Sequence, residues 1–150
     1  MTNKISKGLP SEAYTDKKFW TKECNTIFSN SWVFVGFAHE LKNLGDVLPI
    51  TVGGQPLVLE RNKNGNILAF HNVCSHRCLK LVDRPTNVGK IIRCPYHSWS
   101  YDLGGNLLAS PHFGGTNNHR PKGFTPKDNG LRSIRIKTWH DWIFINLNNN

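Results

Sequence analysis

The chain has 150 residues, of which 38% are hydrophobic, and 19 Lys and Arg against 10 Asp and Glu give a net charge of +9. This is one domain's worth of chain with enough apolar matter for a core, and no run approaches the ~18 apolar residues of a membrane span. Residues 1–10 carry no apolar signal-peptide core, and the basic residues are scattered rather than gathered in a nucleic-acid motif. The sequence therefore predicts a soluble, cytoplasmic protein that binds neither membrane nor nucleic acid.

Residues Ser11–Asn30 read as a helix that Thr15 or Asp16 can cap, with Trp20, Cys24, Ile27 and Phe28 along one packing face. Trp32–Ala38 is an apolar, β-rich run. Asp46–Val52, Gln55–Arg61 and Ile67–Asn72 follow as strands, separated by turns at Gly53-Gly54 and Asn62–Asn66. Lys90–Arg93 is a further short strand, and Ser100–Asp102 and Asn106–Ser110 flank the turn Leu103-Gly104-Gly105. From Ser110 to Gly130 the chain is rich in Pro, Gly and Asn and reads as a long surface excursion, of the kind that is often functional or interfacial. Leu131–Trp139 and Trp142–Leu147 close the chain around His140-Asp141. So many short strands predict an all-β sandwich or barrel with a short N-terminal helix.

Two short segments concentrate the chemistry: Cys74-Ser-His76 and Cys94-Pro-Tyr-His97, with 17 residues between His76 and Cys94. Each offers one thiolate and one imidazole from a single turn. Mixed sulfur and nitrogen ligation belongs to zinc or to iron–sulfur centres. A zinc finger would use C-x2-C with H-x3-5-H, a spacing this sequence lacks. In a [2Fe–2S] centre with two Cys and two His, the His pair replaces two Cys on one iron.

The run His71-Asn-Val-Cys74-Ser-His76-Arg77, then Cys94-Pro95-Tyr96-His97-Ser98-Trp99-Ser-Tyr101-Asp102-Leu-Gly104, closely resembles the signature of Rieske non-haem iron oxygenases of the ring-hydroxylating type. The resemblance implies a Rieske fold, a β base carrying an inserted cluster-binding subdomain at about 71–105. It implies a Rieske [2Fe–2S] cluster with Cys74 and Cys94 on the inner iron and His76 and His97 on the outer one. The added electron is expected on the His-ligated iron. Around the ligands, Arg77 is expected to brace the first loop and Pro95 to stiffen the second. Tyr96, Trp99 and Tyr101 are expected to pack about the cluster and exclude water.

Cys78 and Ser98 depart from the family pattern, which usually has Gly there. Cys78 is read as a small buried residue rather than a ligand. With Tyr96 where respiratory-type Rieske proteins carry an extra Cys, it has no disulfide partner in the second loop. The position two residues after the second His, a hydroxyl in high-potential respiratory types, is Trp99. The potential is therefore expected near the low end of the Rieske range, about −150 mV.

Leu9-Pro10, Ala13-Tyr14-Thr15, Phe19-Trp20 and Trp32-Val33-Phe34-Val35-Gly36 resemble the lead-in of oxygenase α-subunits. The division implied is a lead-in with the first strand over 1–40 and the Rieske domain over 41–147. The catalytic domain of the family is expected to be absent from these 150 residues, and the mononuclear Fe(II) is expected only in that domain. His39, His71, His112, His119 and His140 lack the paired-His pattern of that iron site. The resemblance also implies a reductase or ferredoxin donor, an oxygenase catalytic domain as acceptor, and a homotrimer at full length. The positive charge suits steering of an acidic redox partner, and equally a Lys- and Asn-rich composition without such a role. The expected function is electron relay, redox-active but not oxygenating by itself; a stand-alone Rieske ferredoxin is the alternative.

Overall fold

The computed structural model describes residues 8–148. The predicted N-terminal helix forms in pieces: α1 (Glu12–Thr15), α2 (Lys17–Glu23) and a π-helical turn over Cys24–Phe28. Asp16 makes the break. Its backbone is extended, and its carboxylate accepts the Lys18 N–H at 2.7 Å as the N-cap of α2. No side chain in these pieces is fully buried. Trp20 stays exposed against Phe28, with ring centroids 5.4 Å apart, and Phe28 in turn packs on the core.

Ten strands follow: β1 (Val33–Phe37), β2 (Asp46–Val52), β3 (Gln55–Arg61), β4 (Ile67–His71), β5 (Thr86–Asn87), β6 (Ile91–Arg93), β7 (Ser100–Asp102), β8 (Leu107–Ala109), β9 (Ser133–Trp139) and β10 (Trp142–Asn146). Seven form one sheet in the order β1-β10-β9-β4-β3-β2-β5, and β6-β7-β8 form a second. All these pairs are antiparallel. The large sheet curls until β1 also packs against β2. The fold is thus mostly β, as predicted. The two-residue β5 was not foreseen, because Thr86-Asn87 is polar and has no alternation to read.

Successive side chains of a strand point to opposite faces, and β3 uses both. Leu57 and Leu59 join Leu41, Ala69, Ile134, Ile143 and Ile145 in a core inside the curl. Val58 points the other way, with Val47 and Phe70, into a second core shared with Ile92, Trp99, Tyr101 and Leu107 around the small sheet. Gly105 sets the distance between the two sheets. It sits at φ +79°, and a Cβ there would lie 2.5 Å from the Phe70 ring. Only glycine lets the β7–β8 turn close onto Phe70.

Candidate metal centre

Both predicted ligand segments emerge from this second core. The first loop leaves the end of β4, which is hydrogen-bonded on both sides, to β3 and to β9. The second is the connection of the β6–β7 hairpin, where Arg93 pairs with Ser100. The two loops make the same turn. Cys74 N–H donates to Leu79 O at 2.8 Å and Cys78 N–H returns to Cys74 O at 2.9 Å. In the other loop, Cys94 N–H donates to Trp99 O at 2.8 Å and Ser98 N–H to Cys94 O at 3.1 Å.

Closing these turns puts Cys78 at φ +54° and Ser98 at φ +59°, the left-handed region that favours glycine. Cys78 is exposed, not the small buried residue the sequence suggested. The turn needs its backbone at that position and leaves its thiol outside.

Asn72, which sequence reasoning passed over, holds the first loop in register. It is fully buried; its Nδ2 donates to Val82 O at 2.7 Å, and its Oδ1 accepts Leu81 N–H at 3.2 Å and Val82 N–H at 3.0 Å. A polar residue directly before the apolar Val73-Cys74 pair was the available signal.

The two thiols lie side by side in the core, each 2% exposed. Burial pushes the Cys74 thiol pKa up, while the Tyr101 hydroxyl 3.2 Å from its sulfur pulls the other way. A metal ion supplies the charge that removes such a proton. The imidazoles stand on the solvent side, with ring centroids 4.7 Å apart. Burial, and then the neighbouring His97 and Arg77, lower the His76 pKa, which favours the neutral ring that a metal could bind.

Trp99, 1% exposed, stacks on His76 at 4.8 Å with 6° between the planes. Tyr96 packs over His97 at 3.7 Å and remains 57% exposed, so it screens one side of that ring while its own outer side meets solvent. Pro95 and Arg77 are both exposed. Arg77 lines an open groove of about 770 Å³ with His76, His97, Ser98, Pro111, His112 and Phe113.

The donor set fits a two-iron cluster. Nδ1 of His76 and Nδ1 of His97 are buried without a hydrogen-bond partner, an arrangement that costs free energy unless something binds them. Two thiols and two imidazoles held as pairs match a centre whose two irons each take two protein ligands.

The excursion after β8 carries a second feature the sequence did not reveal. Phe113 and Phe124 fold back on the site, at 5.1 and 5.8 Å from the Trp99 ring. Their only signal was two aromatic residues in a stretch otherwise rich in Pro, Gly and Asn. His112 and His119 are exposed in this same excursion, with rings 5.0 Å apart. His39 pairs with Asp141, joining the turn after β1 to the β9–β10 turn, and is not among the residues lining the groove.

Residues 31–120 match the Rieske [2Fe-2S] domain family. The chain belongs to that family, and a Rieske cluster is its cofactor. The glycine betaine monooxygenase oxygenase subunit of Pseudomonas aeruginosa is 36% identical over 143 residues, 95% of this chain and 32% of that protein. The carnitine monooxygenase oxygenase subunit of Escherichia coli K12 is 30% identical over 142 residues, 95% of this chain and 37% of that protein. Among solved structures, a quaternary ammonium Rieske monooxygenase in complex with L-carnitine superposes with a TM-score of 0.81 at 29% identity, covering 94% of this chain and 39% of that one. Naphthalene 1,2-dioxygenase with bound indole gives 0.80 at 27%, covering 91% and 30%. The chain spans about a third of the length of the curated relatives it matches. Among the described residues, no helix is long and apolar enough to cross a membrane.

Proposed function

We propose that this chain relays single electrons from a reductase or ferredoxin to a mononuclear iron outside it, through a cluster held by Cys74 and Cys94 on the inner iron and His76 and His97 on the outer. The observation that carries this reading is the pairing of two buried thiols with two imidazoles whose buried Nδ1 atoms lack partners. When bound, the cluster supplies reversible one-electron storage. The chain's residues give that storage a direction. The thiols are walled in by the core between the sheets, whereas His76 and His97 line the open groove. Electrons enter and leave at the imidazole side, where a partner comes nearest.

The division of the chain follows the same reading: a lead-in over 1–40, the Rieske domain over 41–147 and a cluster-binding subdomain at about 71–105. Monooxygenase and dioxygenase structures match this domain with nearly equal TM-scores of 0.81 and 0.80. Its shape therefore does not carry the choice of substrate.

Iron and acid-labile sulfide analysis, with electron paramagnetic resonance of the reduced protein, tests the proposal. Two irons and two sulfides per chain are expected. Cys74→Ser, His76→Ala, Cys94→Ser and His97→Ala should lose or cripple the cluster, and Cys24→Ser and Cys78→Ser should keep it. A cluster lost in Cys78→Ser but kept in His76→Ala would overturn the assignment.

A further inference from the structure

We infer that Phe113 is a positioning residue for His76, clamped by a strap formed from residues 110–124; the inference rests on the reading of His76 as a ligand. The His76 ring touches two aromatic neighbours besides His97. Trp99 stacks flat on it, and Phe113 meets it edge-on at 5.6 Å and 88°. Phe113 also stands edge-on to Trp99, at 5.1 Å and 83°. One phenyl ring therefore braces both members of the stack, in the T-shaped geometry aromatic pairs prefer. That contact fixes how the imidazole is turned about its own bond to the chain.

The strap is built to hold this ring in place. Gly114 N–H donates to Asn118 O at 2.8 Å and Gly115 N–H to His112 O at 3.0 Å, closing a compact turn. His119 fastens the turn with its ring and its backbone: Nδ1 accepts the His112 N–H at 2.9 Å, and its carbonyl accepts the Ser110 hydroxyl at 2.7 Å. Phe124 backs Phe113 at 4.9 Å and meets Trp99 at 5.8 Å. Beyond the strap, Gly130 O accepts the Ser75 hydroxyl at 2.9 Å, which ties the end of the excursion to the first loop.

Phe113 is still 40% exposed, so part of the ring meets water while the rest lies against the stacked pair. Solvent exposure is one of the factors that set the potential of an iron–sulfur centre. An oxidised core with two thiolates and two neutral imidazoles is formally uncharged, and reduction adds one negative charge that water stabilises. By excluding water, Phe113 holds the potential down; by bracing the ring, it fixes the orientation of the ligand.

The test uses the cluster-loaded protein, with film voltammetry for the potential and pulsed paramagnetic resonance for the two histidine nitrogen couplings. Phe113→Ala should shift the reduction equilibrium about three- to tenfold toward the reduced form, tenfold being ~59 mV for one electron, and should alter one nitrogen coupling. Phe113→Leu, which fills the space without a ring edge, should alter the same coupling. Phe113→Tyr should restore both readouts. Parental potential and couplings in both the Ala and Leu variants would overturn the inference. So would loss of the cluster in Ala and Leu while Tyr loads normally, since that marks a purely structural role. Both parental couplings retained in His76→Ala would overturn it through the ligand reading beneath.

Discussion

The Tyr101 hydroxyl accepts the Ser75 N–H at 3.1 Å and lies 3.2 Å from Cys74 Sγ. A Cys74 thiolate bound to metal has no proton to give, so in the loaded protein the hydroxyl would be the donor to the sulfur. Burial, then the contact with Cys74, raises the phenol pKa well above its usual range, so the proton stays on Tyr101.

Tyr101→Phe should therefore lower the reduction potential. A charge-assisted bond of about 1.5–3 kcal/mol corresponds to roughly 60–130 mV for one electron at ~59 mV per tenfold. Voltammetry of the two proteins at one pH measures it. An unchanged potential would show that the hydroxyl serves Ser75 alone.

Cys78→Gly and Ser98→Gly should each stabilise the protein. Both residues are held at positive φ, where an L side chain costs about 1–2 kcal/mol, offset in part by the ~0.5–1 kcal/mol of extra chain entropy that glycine loses. A gain of about 0.5–1 kcal/mol per site in denaturant unfolding is expected. The corresponding alanine variants should give no such gain.

These two sites show how far the sequence could be read. The two Cys-His couples proposed as ligands and most strands were legible because each rests on a local pattern: a Cys and a His in one turn, or alternating apolar residues between turn signals. Asp46–Val52, Gln55–Arg61 and Ser100–Asp102 have the predicted bounds. Cys78 was placed inside because cysteine is usually buried, yet its exposure is decided by the turn that returns its N–H to Cys74 O. Asp16 broke the helix because an Asp side chain competes for nearby N–H groups, here that of Lys18. Phe113 was illegible for a different reason. Its contacts lie 14 residues away at Trp99 and 37 away at His76, and no period within a loop encodes them.

Glu60 makes stability fall as pH rises. Its carboxyl is 0% exposed, and neither oxygen has a partner. Burial, then the negative charge of Asp102, raises its pKa from 4.5 to about 8. Between those two values the folded chain keeps a proton that the unfolded chain has released. Stability should drop by up to ~1.4 kcal/mol per pH unit across that window and level off above it. Glu60→Gln should flatten the profile, as followed by urea unfolding from pH 5 to 9. An equal slope in the variant would assign the effect elsewhere.

Gly105→Ala should destabilise by about 2–4 kcal/mol, the sum of a left-handed alanine and an overpacked contact. Its Cβ would meet Phe70 at 2.5–3.1 Å. Phe70→Leu in the same chain should recover part of the loss by making room, which thermal unfolding of single and double variants would register.

The two faces of the large sheet have unequal relations to iron. The core inside the curl contains no ligand, whereas Cys74 and Cys94 are themselves members of the core around the small sheet. Iron held by these cysteines as proposed would be a building material for one half of the protein and would not touch the core of the other. Stripped of it, β6, β7 and β8 should exchange their amide protons early, while β1, β9 and β10 remain protected. A newly made chain would then be a finished platform bearing two open fingers, and cluster insertion would be the last step of its folding.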